Sequence, residues 1–151
     1  MKAVIQRVSS ASVMVEGRIV GSIERGFLVL LGVKRGDTTE DAAYLARKIA
    51  KLRVFNDEAG KMNLALEQVD GAVLAVSQFT LYADTRGGNR PGFSEAAAPD
   101  DGNRLYKTFC ELLRNENLSV QTGIFQTEMK VSLVNDGPVT IIIDSNERLK
   151  P

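Results

Sequence analysis

A central buried strand is predicted by the stretch Gly26-Phe27-Leu28-Val29-Leu30-Leu31-Gly32-Val33, in which every position is apolar or glycine. Such continuity is typical of a strand covered on both faces, because a half-exposed strand would alternate with polar residues. Ahead of it, Val4–Val8, Ala11–Val15 and Arg18–Ile23 have the composition of strands, and Glu16-Gly17 suits a tight turn between the last two. The chain is therefore predicted to begin as a β-meander.

Two amphipathic helices are predicted after this strand. The first follows the N-cap candidates Asp37 and Thr38, with Asp41 three residues after Thr38. Its apolar positions have helical spacing and are Ala42, Leu45, Ala46, Ile49 and Leu52. The second begins near Asp100-Asp101, and its apolar face carries Leu105, Phe109, Leu112 and Leu113. Cys110 lies beside this face, where a cysteine is expected to pack as a small apolar residue.

Further strands are predicted over Arg53–Phe55, Ala72–Leu81, Val120–Phe125, Met129–Val134 and Val139–Asp144. The order of meander, helix, strands, helix, strands predicts an α+β fold, in which a single domain has a largely antiparallel, barrel-like sheet and two main helices. A chain of 151 residues is long enough for one such core. We expect the domain to span residues 1–145 and residues 146–151 to form a tail.

The composition excludes several kinds of site. Lys and Arg together number 19, as do Asp and Glu, so the formal net charge is zero and any contact with nucleic acid has to be local. The chain has no His and one cysteine, which excludes His relays, imidazole zinc sites and intrachain disulfides. We expect no metal and no cofactor. The longest apolar run, Phe27–Leu31, is far shorter than the roughly 20 residues of a membrane span, which predicts a cytoplasmic protein without membrane contact.

Polar residues interrupt the strand predicted over Ala72–Leu81. Ser77, Gln78 and Thr80 stand where a buried strand would be apolar, so their polar atoms need partners. They either satisfy neighbouring backbone groups where the strand leaves the core or form the floor of a pocket. The irregular segment that follows, residues 82–99, is unusually long for so small a domain, which favours a functional loop.

A second polar segment separates two predicted strands and reads Asn135-Asp136-Gly137-Pro138-Val139-Thr140. Its residues suit a hairpin turn. A cis Gly137-Pro138 bond would instead point two carbonyl oxygens in nearly the same direction and form a rigid polar edge. Arg7 is a charge in an apolar strand, where a guanidinium needs carboxylates or carbonyl oxygens as partners, and a salt bridge is the usual case.

Two groups of cations are candidates for RNA contact. A cluster about the end of the first helix comprises Arg47, Lys48, Lys51 and Arg53. The zero net charge favours a solvated surface over an RNA-binding patch for this cluster. Arg86 and Arg90 in the Gly-rich loop are better candidates for phosphate contact, although the loop lacks the ending of a P-loop.

Six segments, in order along residues 1–145, resemble those of the D-aminoacyl-tRNA deacylase family. They are Ile5-Gln6-Arg7-Val8, Gly32-Val33, Lys61-Met62-Asn63, Ser77-Gln78-Phe79-Thr80-Leu81, Arg90-Pro91-Gly92-Phe93-Ser94 and Val131–Thr140. Each segment alone is weak evidence, but their order in one chain makes the match specific. The resemblance implies a cytosolic homodimer with active sites at the subunit interface. It also implies a substrate, the acceptor end of tRNA, from whose terminal adenosine a D-amino acid or wrongly attached glycine is hydrolysed.

The resemblance also implies roles for particular residues. Catalytic roles fall to Gln78, Phe79 and Thr80, and substrate contacts to Ser77, Phe125, Met129, Gly137, Pro138 and Arg7. The Gly137-Pro138 bond would be cis, and its carbonyl groups would enter the partner subunit's pocket and exclude L-amino acids. Arg7 would hold this motif in place.

Two mechanisms are compatible with this resemblance. In one, Thr80 is the nucleophile, and in the other the 2′-hydroxyl of the substrate assists water. The sequence favours the second, because a threonine hydroxyl needs an adjacent base and the matched motifs contain none. Backbone N–H groups near Phe79 and Thr80 would then stabilise the oxyanion. A noncatalytic module that binds RNA ends or a small molecule is the alternative interpretation.

Overall fold

The structure, a computed structural model, describes residues 1–149. Within that range the strands and α-helices, in chain order, are β1 (Lys2–Val15), β2 (Arg18–Ile23), β3 (Gly26–Gly32), α1 (Thr39–Lys51), β4 (Phe55–Asn56), β5 (Met62–Leu64), β6 (Ala72–Ser77), α2 (Pro99–Arg114), β7 (Ser119–Thr122) and β8 (Lys130–Asp144). Short 3₁₀ turns cover Leu66–Val69, Phe79–Tyr82 and Ser145–Leu149. No helix among these residues is both long enough and apolar enough to cross a membrane.

Six strands form one mixed sheet in the order β2-β1-β3-β6-β7, with β8 along the other edge of β1. The long strand β1 pairs antiparallel with β8 along one edge and with β3 and then β2 along the other. β3, β6 and β7 are parallel neighbours. β2 curls over β7, where a Cβ on Gly21 would lie 2.6 Å from the carbonyl oxygen of Thr122, so the approach requires glycine. The sheet is nearly closed, and the predicted α+β fold with a barrel-like sheet and two helices is confirmed.

The apolar stretch of β3 lies between two core clusters. On one face of β3, Phe27 and Leu31 pack beneath the two helices, and the ring of Phe27 stacks on that of Phe55 with centroids 5.1 Å apart. On the other face, Leu28 packs inside the curled sheet against residues such as Leu74. Because both faces of β3 are covered, polar residues are absent from this stretch.

The Met1 ammonium group is buried at the N-terminal end of α1. Its nitrogen lies 2.7 Å from Asp37 Oδ2 and donates a 2.7 Å hydrogen bond to the Ser145 hydroxyl, which donates to Asp41 Oδ1 at 2.7 Å. Asp41 also accepts a 2.8 Å hydrogen bond from the Thr38 N–H, in the capping arrangement predicted for this helix. Burial acts to raise the pKa of Asp41, but the Thr38 N–H, the Ser145 hydroxyl and the ammonium together hold that pKa below its ordinary value.

Several strands differ from the sequence prediction in their ends or their continuity. β1 is one strand where two were predicted, and β4 begins at Phe55 rather than at Arg53. β6 ends at Ser77 rather than at Leu81, because the chain turns there into a 3₁₀ segment. β7 ends at Thr122 rather than at Phe125. β8 is continuous from Lys130 to Asp144, because the two halves that the sequence separates both pair with β1 and not with each other. The hairpin turn predicted over residues 135–140 is therefore wrong.

Part of the predicted tail has a defined position. Ser145–Leu149 form a 3₁₀ turn, and Arg148 Nη2 lies 3.3 Å from Asp41 Oδ1. Lys150 and Pro151 lie outside the described residues. The domain boundary at residue 145 stays a prediction.

Candidate active site

A cleft of about 610 Å³ opens at the C-terminal end of β6. Three segments provide most of its lining, namely residues 76–79, 93–99 and 125–131. Five of the residues predicted from the sequence line it, and these are Ser77, Gln78, Phe79, Phe125 and Met129. Thr80 adjoins them in the chain, but its exposed side chain is not part of the lining.

The end of β6 leaves two backbone donors without a partner. The Gln78 N–H donates a 2.8 Å hydrogen bond to the Leu31 carbonyl, and the 3₁₀ turn follows directly. Within residues 1–149, neither the Phe79 N–H nor the Thr80 N–H donates a hydrogen bond. The Thr80 hydroxyl is engaged by the side-chain amide of Gln78. The strand end thus offers main-chain donors, whereas its hydroxyl already has a partner.

Aromatic rings shape the mouth and the wall of the cleft. Phe79 is 57% exposed and meets Phe93 edge-on, with ring centroids 4.9 Å apart. On the opposite wall, the ring of Phe125 lies 6.4 Å from that of Tyr106. The Tyr106 hydroxyl donates a 2.6 Å hydrogen bond to the Ala75 carbonyl, and burial raises its pKa, so the hydroxyl stays protonated and anchors this wall.

The cleft is nearly free of ionisable groups. Among its described lining residues Arg35 alone is charged, and none is Asp, Glu, Lys, Tyr or Cys. Cys110 is buried in the core, where burial raises the pKa of its thiol to about 11. In the described part of the chain, no three Asp, Glu or Cys side chains lie close enough together to hold a metal ion. The lining that the structure describes therefore supplies no general base.

The second polar segment is a bulge on β8. The strand pairs with β1 up to Asn135 and again from Thr140, so residues 136–139, which we call the bulge, leave the ladder between them. The side chain of Asn135 closes the bulge, because its Oδ1 accepts a 2.8 Å hydrogen bond from the Val139 N–H. The Gly137–Pro138 peptide bond is cis, and both residues are exposed.

Arg7 holds the bulge from beneath. It is only 7% exposed, its Nε donates a 2.8 Å hydrogen bond to the Asp136 carbonyl, and its Nη1 donates a 2.6 Å hydrogen bond to the Val54 carbonyl. No carboxylate of residues 1–149 forms an ion pair with its guanidinium. The expectation of a salt bridge is therefore wrong, and carbonyl oxygens are the partners that make this buried charge tolerable.

The predicted site residues thus form two groups in one chain. The described lining of the cleft contains none of Arg7, Gly137 and Pro138. Beside the bulge, β8 exposes the apolar side chains of Val134 (56%) and Ile142 (62%). The outer edge of β8 pairs with no strand that the structure describes. One group lines a cleft, and the other lies on an open sheet edge.

Some cleft residues had no signal of their own in the sequence. Arg35 follows β3 in an ordinary turn, and Ala97 and Ala98 stand in the loop before α2. The length of the irregular segment 82–99 indicated a functional loop, but not which of its residues would line a cleft. Arg86, a predicted phosphate contact, is engaged by Asp84 at 2.9 Å and holds the pKa of that carboxyl well below its usual range.

Comparisons with known proteins cover nearly the whole chain. The family model described as D-Tyr-tRNA(Tyr) deacylase matches residues 4–144. The D-aminoacyl-tRNA deacylase of Geobacter metallireducens is 60% identical, with 96% of each chain covered. That of Thermus aquaticus is 59% identical, with 98% of this chain and 97% of the relative covered.

Solved structures have the same architecture. One named c-Myc DNA unwinding element binding protein has a TM-score of 0.89 at 41% identity, covering 95% of this chain and 98% of its own. A probable eukaryotic D-amino acid tRNA deacylase, at 17% identity, has a TM-score of 0.83, which shows likeness of fold. The family match spans both the cleft and the bulge. The chain therefore belongs to the D-Tyr-tRNA(Tyr) deacylase family and is a hydrolase that deacylates D-aminoacyl-tRNA.

Proposed function

We propose that the cleft hydrolyses the ester of both D-aminoacyl-tRNA and glycyl-tRNA, and that the bulge of a second subunit closes it against L-aminoacyl-tRNA. The observation that carries this proposal is the separation of the two groups. The chain holds a stiff, exposed bulge that its own cleft does not include. A homodimer would bring the bulge of one subunit to the cleft of the other.

The chemistry rests on backbone groups and on the substrate. Water attacks the ester carbonyl carbon, and the free N–H groups of Phe79 and Thr80 stabilise the oxyanion that forms. The neighbouring 2′-hydroxyl of the terminal ribose orients the water and relays its proton to the departing 3′-oxygen. Among the described residues that line the cleft, none is a general base that could take this proton in place of the 2′-hydroxyl. An aminoacyl ester is already activated, so positioning supplies much of the remaining rate.

Gln78 and Thr80 act as positioning residues in this mechanism. The Gln78 N–H fixes the strand end on β3, and its side-chain amide holds the Thr80 hydroxyl. A hydroxyl without an adjacent base is a poor nucleophile. We therefore assign Thr80 to the shape of the turn and not to a covalent intermediate.

Selectivity comes from exclusion in this proposal. With the ester fixed at the strand end, the side chain of an L-amino acid would be directed at the main-chain carbonyl groups of the bulge, whereas a D side chain would point away and glycine has none. Because Arg7 holds the main chain of the bulge, the bulge cannot move aside for an L side chain. Selectivity therefore arises because the L isomer is rejected, and not because the D isomer is bound more tightly.

The surface around the bulge supports the dimer. Val134 and Ile142 expose apolar side chains on either side of it, and the outer edge of β8 is unpaired in the described structure. Exposed apolar residues on an open strand edge are typical of a surface that another chain covers. Membership in a family of hydrolases disagrees with the alternative of a noncatalytic binding module. The cytoplasmic location stays a prediction.

A deacylation assay tests the selectivity. The purified protein should release the amino acid from D-tyrosyl-tRNA and from glycyl-tRNA and leave L-tyrosyl-tRNA nearly intact. Equal rates on the two enantiomers would contradict chiral exclusion.

Mixed dimers test the shared site. Gln78→Ala disables the cleft and Arg7→Ala loosens the bulge, so each variant alone lacks a site with both parts intact. Mixing them after dissociation should restore D-selective activity, because one cleft of the mixed dimer faces an intact bulge. Absence of restoration, with mixed dimers verified by mass, would show that bulge and cleft of the same chain act together.

A further inference from the structure

A second groove adjoins the cleft. Its volume is about 230 Å³, and it lies between the turn after β3 and the first two turns of α2. Arg35, Ala97 and Ala98 line both the groove and the cleft, so the two are continuous. Lys34 and Arg104 add two more cations to the groove.

The groove contains more cationic side chains than carboxylates that are free to pair with them. Asp37 is engaged by the Met1 ammonium at 2.7 Å, and Asp101 lies 3.7 Å from Arg104. No carboxylate of the described chain forms an ion pair with Lys34 or Arg35. Two positive charges of the groove thus have no ion-pair partner among the described residues, and one of them, Arg35, stands at the junction with the cleft. A phosphate or phosphodiester is the ligand that such a pair of cations recognises.

A groove on the other side of the cleft is less suited to this ligand. It shares Phe125 alone with the cleft, and it carries Glu111 between Lys107 and Arg114. The Arg114 guanidinium already donates a 3.1 Å hydrogen bond to the Val120 carbonyl. The charge and the continuity both favour the groove beside Arg35.

We propose that the groove formed by Lys34, Arg35 and Arg104 binds the phosphodiester that joins the terminal adenosine of the substrate to the preceding nucleotide. This inference rests on the proposed function, because it requires the ester to lie at the end of β6. The RNA chain has to leave the cleft next to the terminal ribose, and the groove provides the continuous exit that carries positive charge. The same contacts would explain how a protein of zero net charge grips the end of tRNA.

The test compares three substrates that differ in phosphate content. They are D-tyrosyl-adenosine, which has no phosphodiester, D-tyrosyl-cytidylyl-adenosine, which has one, and D-tyrosyl-tRNA. Arg35→Gln should raise KM about tenfold for the last two, the scale of one lost charged hydrogen bond, and leave kcat nearly unchanged. KM for D-tyrosyl-adenosine should not change. Arg35→Lys should restore most of the affinity.

Lys107→Gln is the matched control, since it removes one exposed cation from α2 in the other groove. Its KM should equal that of the wild type on all three substrates. The phosphate site would be overturned if Arg35→Gln raised KM for D-tyrosyl-adenosine as much as for the other two substrates. It would also be overturned if KM for D-tyrosyl-cytidylyl-adenosine did not change. A wild-type protein that cleaves none of the three would overturn the proposed function and the site with it.

Discussion

The cleft and the bulge are built in opposite ways. The cleft is concave, largely apolar and shaped by packing within one chain, and its donors are backbone N–H groups at the end of β6. The bulge is convex and exposed, yet a buried guanidinium and an amide side chain fix its backbone. A surface segment that contacted nothing would gain little from a buried Arg7, which is costly to desolvate. One chain supplies the described lining of the cleft, and that lining does not include the bulge. The proposed function accounts for this difference, because it assigns the bulge to the cleft of a second subunit.

The largest effect should come from the substrate, if the cleft has no base of its own. Replacing the 2′-hydroxyl of the terminal adenosine by hydrogen should lower kcat about a thousandfold, within the range of lost general-base assistance. Thr80→Ala should stay within about tenfold of the wild type, because its hydroxyl is already engaged by Gln78. Single-turnover deacylation measures both. A loss of about a million-fold in Thr80→Ala would restore the nucleophile mechanism.

Arg7→Ala tests whether the bulge needs its buried support. The variant leaves the carbonyls of Asp136 and Val54 without their donor, so unfolding in urea should show a loss of about 2–3 kcal/mol. The ratio of D- to L-tyrosyl-tRNA cleavage should fall as the bulge loosens, while KM for glycyl-tRNA changes little. Arg18→Ala, an exposed arginine on β2, is the control and should leave stability and ratio unchanged. A stable Arg7→Ala protein with full selectivity would contradict the support role.

Asp41→Asn separates stability from selectivity, because Asp41 is buried but belongs to neither the cleft nor the bulge. It should lose about 2 kcal/mol at pH 7 and keep its D-to-L ratio. Since the native pKa of Asp41 lies below the ordinary 3.8, its stabilisation is complete above that pH and is lost as the pH falls through the native pKa. Urea unfolding at pH 7 and near pH 2 should therefore show a smaller difference from the wild type in acid. A changed D-to-L ratio would mean that selectivity follows global stability.

Local patterns were sufficient for the parts of the fold that depend on near neighbours. The apolar stretch of β3 and the capping residues Thr38 and Asp41 each indicate their element without reference to the rest of the chain. The continuity of β8 could not be predicted in this way, because residues 135–140 are good turn formers. Their pairing with β1, more than 120 positions earlier in the chain, overrides the local preference.

The same distinction applies to the site. Ser77 and Gln78 were visible as candidates because they interrupt an apolar strand, and the structure places both in the cleft. In the sequence Arg35 is an ordinary turn residue, so its position between the cleft and the groove could be known only from the three-dimensional structure. The partners of Arg7 are carbonyl oxygens, and carbonyl groups are present at every position, so the sequence has no signal for them.

The smallest effect is expected at Asn135, which closes the bulge from the side. The Val139 N–H can only donate, so the oxygen of the Asn135 amide has to face it. The NH₂ group donates to Thr140 Oγ1 at 3.2 Å and to the Val139 carbonyl at 3.4 Å. Asn135→Asp keeps the acceptor and loses the donor, and it should cost no more than about 1 kcal/mol in urea unfolding, with a few-fold fall in the D-to-L ratio. Asn135→Ala removes all three hydrogen bonds. Its losses of stability and of D-to-L ratio should be larger than those of Asn135→Asp but smaller than those of Arg7→Ala. Asn135→Asp could instead lose as much stability and selectivity as Arg7→Ala. The side-chain amide of Asn135 would then be the main support of the bulge, and the Arg7 guanidinium would matter only through its hydrogen bond to the Val54 carbonyl.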